Sequence, residues 1–131
     1  MSYIKYKELA YCNFTKKISV KELPAFVFDY VEKDETIWCS YSSFRKKLLL
    51  TDRKIIIFVQ KGLFGGTKKI HFFPYANISS SAIEYKETST SLLFSMDSGY
   101  QLTLTIRNTS SQDKAEIRET YFRLIEQIGN N

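Results

Sequence analysis

The side chains that most often act as nucleophiles or metal ligands are scarce in this sequence of 131 residues, which has one histidine, His71, and two cysteines, Cys12 and Cys39. A zinc site takes about four such ligands, so two thiols and one imidazole do not supply a set. The thiols lack C-x-x-C spacing and no secretion signal accompanies them, which favours reduced, partly buried cysteines. His71 alternates with Ile70 and Phe72, and this predicts a histidine on the exposed side or rim of a strand. We therefore expect no metal site and no paired nucleophile.

The glycine-rich segment at residues 62–66 lacks the spacing of a phosphate-binding loop. A P-loop reads G-x-x-x-x-G-K-[ST], whereas here Thr67 separates Gly66 from Lys68. The G-x-G-x-x-G and G-x-S-x-G motifs are also missing. The acids of residues 32–35 could bind a cation, but acids in a helix-to-strand turn more often act as solvated caps. The sequence therefore predicts a protein that is not an enzyme and has neither cofactor nor small-molecule substrate.

Positive charge is concentrated in one part of the chain. The whole sequence has a net charge of +5, but residues 41–70 contain eight bases and one acid and so have a net charge of +7. Such a segment could attract an anionic partner. The alternative is a set of solvated loops, since surface lysines without a partner are common.

Two helices are expected, one on each side of a strand-rich region. Ser19 and Glu22 have capping-box spacing, and Pro24 suits a first helical residue, so a short helix should begin near residue 23 or 24. Residues 112–128 should form the second helix, capped by Ser110 or Ser111 and ended by a glycine. Its apolar residues recur at spacings of three and four, which predicts one stripe that packs on a sheet. The stripe consists of Ile117, Tyr121, Leu124, Ile125 and Ile128.

The region between the helices predicts seven short strands. Aromatic residues make up 15% of the chain, and they favour strands. The expected strands cover residues 34–43, 47–51, 54–60, 68–73, 78–87, 90–96 and 100–107. Consecutive strands with tight turns imply an antiparallel meander that closes or folds over on itself, with the last helix covering an open end. We therefore predict a mainly β fold, a bent seven-stranded barrel or sandwich.

Residues 1–18 fit this pattern least well, and they form either an extra strand over residues 3–11 or an ordered arm. Residues 19–131 are expected to form the single domain. No apolar run reaches the length of a membrane span, and the N-terminus has no apolar signal region. We expect a cytoplasmic protein, with peripheral contact to a membrane as an open alternative.

Three motifs resemble those of the small bacterial pleckstrin-homology (PH) domains, in particular the YokE-like branch. Residues 50–58 read LTDRKIIIF and resemble that family's L-T-[ND]-x-R hairpin, with the base shifted by this sequence to Arg53 and Lys54. Residues 62–66 (GLFGG) and 74–78 (PYANI) are similar to its glycine-rich connection and the entry to its fifth strand. The resemblance covers residues 23–128 and implies a PH-like fold. Each motif has a structural reason, so the resemblance bears on fold more than on function.

The resemblance also implies where an anionic ligand would bind. In the PH fold, the loop between the first two strands lies at the open end of the barrel and carries bases in lipid-binding members. Here that loop is predicted at residues 44–47, and the glycine-rich connection should open at the same end. A phenylalanine there could insert into a membrane while the bases meet phosphates. The candidate binding residues are Phe44, Arg45, Lys46, Lys47, Lys61, Lys68 and Lys69.

The sequence leaves two functions open. The one we rank first is a protein-interaction module, for an unknown partner or for self-association, because a PH-like sheet edge can bind a peptide strand through backbone groups alone. The alternative is peripheral binding to anionic lipid headgroups through the basic loops. Nucleic-acid binding ranks below both, because an OB-fold has about five strands and this sequence predicts seven.

Overall fold

Two β-sheets and one α-helix enclose the main core of the protein. The computed structural model describes residues 11–107 and 110–129. The strands are β1 (Tyr11–Phe14), β2 (Lys16–Ile18), β3 (Ile37–Ser43), β4 (Lys46–Thr51), β5 (Lys54–Lys61), β6 (Thr67–Pro74), β7 (Ile78–Tyr85), β8 (Ser89–Met96) and β9 (Gln101–Arg107). The helix α1 (Ser111–Gly129) follows. The mainly β fold with a C-terminal helix is therefore confirmed, and the seven predicted strands are β3 to β9.

The strands form a five-stranded sheet in the order β2-β3-β4-β5-β6 and a four-stranded sheet in the order β1-β9-β8-β7. All neighbours are antiparallel except β1, which runs parallel to β9. The two sheets meet where the backbone N–H of Thr15 donates to the carbonyl of Ser42 at 2.9 Å. At the other sheet edges lie β6 and β7. The strand considered for residues 3–11 lies, apart from Tyr11, outside the described residues.

The short helix predicted to begin near residue 23 or 24 is a 3-10 turn, Ala25–Tyr30, and a separate 3-10 turn, Val20–Glu22, precedes it. Pro24 separates them with extended backbone angles, φ −59° and ψ 146°. Ser19 accepts a hydrogen bond from the N–H of Lys21, at 3.2 Å, and so caps only the first turn. The predicted start of this helix is confirmed, but Pro24 is its N-cap rather than its first residue, and the helix has 3-10 geometry.

Strand β5 is covered on both faces, as its apolar run predicts. Ile55, Ile57 and Val59 face the main core between the sheets. Ile56 and Phe58 face a second, outer cluster beneath the 3-10 turns. This alternation follows from the period of two in a strand, and it makes the five-stranded sheet the middle layer of the molecule.

Helix α1 begins as expected, since the Ser110 hydroxyl accepts a hydrogen bond from the N–H of Asp113 at 3.1 Å. Its buried residues are Ile117, Tyr121 and Leu124. Ile128 packs against the core only in part. The inclusion of Ile125 in the buried stripe is wrong, because this residue is 40% exposed on the outer side of the helix.

The expected exposure of His71 is wrong. Its side chain is 3% exposed and lies opposite Ile57 on β5, and so on the core side of the sheet. Ile70 packs on the outer cluster instead, and Phe72 on the same side is 44% exposed. Residues 70–72 do alternate between the two faces of β6, but the 3-10 turns give the outer face an apolar layer of its own. Burial lowers the pKa of His71.

The β4–β5 turn, which carries the LTDRK motif, is held to the acidic turn before β3. Arg53 pairs with Glu32 and Asp34, the latter at 2.6 Å. The ammonium of Lys54 lies 2.8 Å from the buried carboxylate of Glu35. Among the described residues, no group of histidine, cysteine and acidic side chains is arranged to hold a metal ion. The acids therefore serve as partners of the turn's bases.

Candidate functional site

The turn between β3 and β4 and the turn between β5 and β6 lie side by side at one end of the five-stranded sheet. The carbonyl of Arg45 accepts a hydrogen bond from the N–H of Gln60 at 2.9 Å. The Arg45 guanidinium donates to the carbonyl of Gly62 and, at 3.1 Å, to that of Leu63. We call this end the tip surface, and it consists of Phe44, Arg45, Leu63 and Phe64 with the flanking lysines Lys46, Lys47, Lys61, Lys68 and Lys69.

Backbone geometry explains how the two turns form. Gly62 and Gly65 have φ of 90° and 68°, which glycine adopts without a steric penalty. Arg45 has φ of 66° in the two-residue turn between the paired residues Ser43 and Lys46. Glycine or asparagine is usual at such a position, so this arginine occupies a conformation that its side chain disfavours.

Three apolar side chains project from the tip surface into solvent. Phe44 is 85% exposed, Leu63 is 84% exposed and Phe64 is 92% exposed. Of the large apolar residues that the structure describes, these are the most exposed, and the next is Phe122 at 60%. Phe44 is among the binding residues predicted from the sequence, whereas Leu63 and Phe64 are not. The sequence does contain a sign of their exposure, because two large apolar residues between turn glycines have no strand or helix face on which to be buried.

The lysines of the tip surface lie on both faces of the five-stranded sheet. Lys46 lies on the same side as Leu48 of the main core, whereas Lys47 lies on the side of Leu49 of the outer cluster. Lys69 is opposite Val59 and so lies on the main-core side. The ammonium of Lys68 lies 4.2 Å from the centroid of the Phe26 ring, on the outer side.

All seven binding residues predicted from the sequence therefore lie at the same end of the molecule. The guanidinium of Arg45 donates hydrogen bonds to protein carbonyls. Whether these residues bind an anion remains a prediction.

The side chains with nucleophilic potential elsewhere are packed into the core. Cys12 and Cys39 are free and buried, and burial raises the pKa of both thiols, which disfavours the reactive thiolate. A cavity of about 400 Å³ opens between the end of β6 and the β8–β9 turn, lined by residues that include Phe73, Met96 and Tyr100. In the part of the chain that is described, no helix is both long and apolar enough to cross a bilayer.

Solved structures of similar fold come from bacterial proteins. A DUF1696 family protein with a pleckstrin-homology domain from Shewanella loihica has a TM-score of 0.67 at 18% identity, covering 86% of this chain and 96% of that one. A PH domain containing protein from Exiguobacterium sibiricum has a TM-score of 0.66 at 15% identity, covering 89% of this chain and 63% of that one. A pleckstrin homology domain from Shewanella amazonensis has a TM-score of 0.54 at 21% identity, covering 79% and 85%. These identities support the fold alone.

Among curated proteins, no sequence matches this chain. A family model described as "Bacterial PH domain" matches residues 9–128. Assignment to the YokE-like branch of that family stays a prediction. Since the family model spans most of the sequence and the two-sheet fold with a C-terminal helix agrees with it, the chain belongs to the bacterial PH domain family.

Proposed function

We propose that this domain is a non-catalytic binding module that docks on an anionic membrane surface through the tip surface. One observation carries the proposal: the three most exposed large apolar side chains of the described residues are grouped at one end of the molecule, beside five lysines. Exposed apolar residues are ordinary when they are scattered singly. Their grouping on two adjacent turns calls for a partner that accepts both apolar and cationic groups.

A membrane interface accepts both. Phe44, Leu63 and Phe64 would enter the boundary between headgroups and acyl chains, where they leave water. The lysines would remain at the level of the phosphates, because their long side chains let the ammonium reach a polar layer. Each base contributes about 1 kcal/mol near an anionic membrane, so two of these lysines at the phosphate level contribute about 2 kcal/mol.

The shape of the tip surface also supports this choice over a small-molecule site. Small ligands bind in concave pockets that bury most of their surface. Leu63 and Phe64 instead protrude from a turn, and a protruding apolar group needs a soft or concave partner. The sequence alone ranks a protein-interaction module first; the exposure of these two residues reverses that order.

Co-sedimentation with vesicles tests the proposal. We expect binding to vesicles of phosphatidylcholine mixed with phosphatidylglycerol and little binding to phosphatidylcholine alone. Binding should weaken between about 0.1 M and about 1 M salt, because the screening length falls from about 10 Å to about 3 Å. A protein that ignores anionic vesicles even at low salt would refute the proposal.

A second candidate is protein interaction or self-association at an open sheet edge. β6 and β7 form edges of their sheets, and each has eight residues. A partner strand could add to either edge through backbone hydrogen bonds. Light scattering after size-exclusion chromatography detects self-association, and Ala82→Lys on β7 should reduce it if this edge is used. A monomer at all concentrations, with vesicle binding intact, would exclude self-association.

A further inference from the structure

We propose that Arg45 is a positioning residue that joins the two turns of the tip surface into one rigid membrane-inserting unit. This inference rests on the proposed function and deepens it. It assigns Arg45 a role different from that of the lysines: holding the apolar side chains in place rather than meeting lipid phosphates.

The contacts of Arg45 connect the two turns of the tip surface. Its guanidinium donates to the carbonyls of Gly62 and Leu63 in the neighbouring turn. The ring of Phe44 lies against the same guanidinium, with 5.2 Å between the guanidinium carbon and the ring centroid. The arginine is thus placed between the apolar residue of one turn and the backbone of the other.

The backbone of Arg45 supports the same conclusion. Its φ of 66° is the only positive value of a non-glycine residue in the described ranges 11–107 and 110–129. The two-residue turn requires this conformation and glycine would adopt it at lower cost, so the side-chain contacts of Arg45 offset a backbone cost at this position. The carbonyl of Arg45 also accepts from Gln60, which ties its main chain to β5.

Arginine suits this role in a way that lysine does not. A planar guanidinium can donate two hydrogen bonds in fixed directions while a ring stacks on its face. An ammonium can replace the charge but not the pair of directed bonds. Arg45→Lys therefore separates the two possible roles of this residue, because it keeps the charge and removes the connection between the turns.

Ordering a loop at the moment of binding reduces affinity, so a tip surface without the connection should insert less well. We expect Arg45→Lys to lower partitioning onto phosphatidylcholine–phosphatidylglycerol vesicles by about three- to tenfold with an unchanged salt dependence. Amide hydrogens of residues 62–66 should exchange faster in the free variant. Arg45→Gly, which suits the positive φ and keeps the turn, should show the same faster exchange.

Lys47→Gln is the matched control, because it removes one charge from the tip surface and leaves the connection in place. It should reduce the salt dependence of vesicle binding and leave amide exchange unchanged. If Arg45→Lys binds as well as the wild type, or if its exchange is unchanged, Arg45 does not position the turns and the inference fails while the proposed function stands. If the wild-type protein does not bind vesicles at all, the proposed function fails and the inference fails with it.

Discussion

The insertion of Leu63 and Phe64 into a membrane can be tested by changing both to serine. The side chains are 84% and 92% exposed, so their removal takes nothing from the core. Substitutions at such positions change stability by about 0.5 kcal/mol or less. The double variant should therefore keep the wild-type melting temperature, and any loss of binding would belong to the tip surface itself.

The size of the effect follows from the area that leaves water. Full burial of a leucine or phenylalanine side chain contributes about 1.5 to 3 kcal/mol, so complete transfer of the pair would contribute about 4 kcal/mol. An interfacial position removes about half of this area from water, which leaves about 2 kcal/mol, or about a 30-fold decrease in partitioning. The net charge does not change, so the salt dependence should stay that of the wild type.

Co-sedimentation with phosphatidylcholine–phosphatidylglycerol vesicles measures this decrease. The control changes Phe122 and Ile125 to serine, since both are exposed apolar residues of α1. Arg123, which follows Phe122 in α1, lies over the ring of Trp38. Trp38 is near the start of β3, whereas the tip surface begins after the end of β3. The control should bind like the wild type. Wild-type binding by the Leu63 and Phe64 variant would show that the lysines act without insertion and would refute the reasoning.

Three further predictions concern charge, core and pH. Changing Lys46 and Lys47 to glutamate should weaken binding to anionic vesicles by at least about 30-fold, because each base near such a membrane contributes about 1 kcal/mol and each acid is repelled. Leu124→Asp should unfold the domain, as seen by circular dichroism, because an unpaired carboxylate at this fully buried position costs several kcal/mol. The whole free energy of unfolding of a typical domain is only about 5 to 15 kcal/mol. Burial lowers the pKa of His71 in the folded protein, so the unfolded chain takes up a proton first as the pH falls below about 6.5. The free energy of unfolding measured with urea should therefore be lower at about pH 5.5 than at about pH 7.5. The His71→Gln variant should lose less of this free energy over the same pH range.

Each of these has a matched comparison. Lys21→Glu with Lys33→Glu makes the same charge change away from the tip surface, and an equal loss of binding would show that only the total charge matters. Leu124→Met keeps the volume and should leave the protein folded; a folded Leu124→Asp variant with the wild-type melting point would show that the helix is not part of the core. For His71, an identical loss of stability with acid in wild type and His71→Gln would assign the effect to other groups.

The strands and the C-terminal helix were predictable because local patterns determine them. Leu102, Leu104 and Ile106 alternate along β9 and are all buried, and a two-residue period leaves little choice of face. The helix stripe was predictable for Ile117, Tyr121 and Leu124 in the same way. Ile125 was not, because spacing alone does not say how wide a stripe the neighbouring sheet covers.

His71 shows where local pattern is insufficient. Ile70 and Phe72 alternate with it along β6, which indicates that one face of the strand is apolar. The pattern does not show whether that face contacts the main core or the outer cluster. The 3-10 turns supply the outer cluster, with Val27 buried there and Phe26 and Tyr30 against the ring of Phe58. This contact joins segments far apart in sequence, so a strand pattern cannot reveal it.

The candidate site was predictable in its location but not in its composition. The bases and Phe44 follow from the basic segment and the family resemblance. The connection through Arg45 depends on a side chain reaching the carbonyls of residues 17 and 18 positions away, which no local spacing encodes. Leu63 and Phe64 could have been selected from sequence, because turn glycines on both sides leave their side chains without a partner face.

The basic segment itself divides into two parts once the strands are in place. At one end of β4 and β5, Arg53 and Lys54 pair with the acids of the turn before β3, and these ion pairs hold the β4–β5 turn. At the other end, the five lysines of the tip surface accompany exposed apolar residues. A segment whose charge served only solubility would not need to divide in this way. The acids lie at the end where ion pairs hold a turn, and the exposed apolar side chains lie at the end of the proposed membrane contact. Strands β4 and β5 therefore separate bases that stabilise the fold from bases that the proposal assigns to binding.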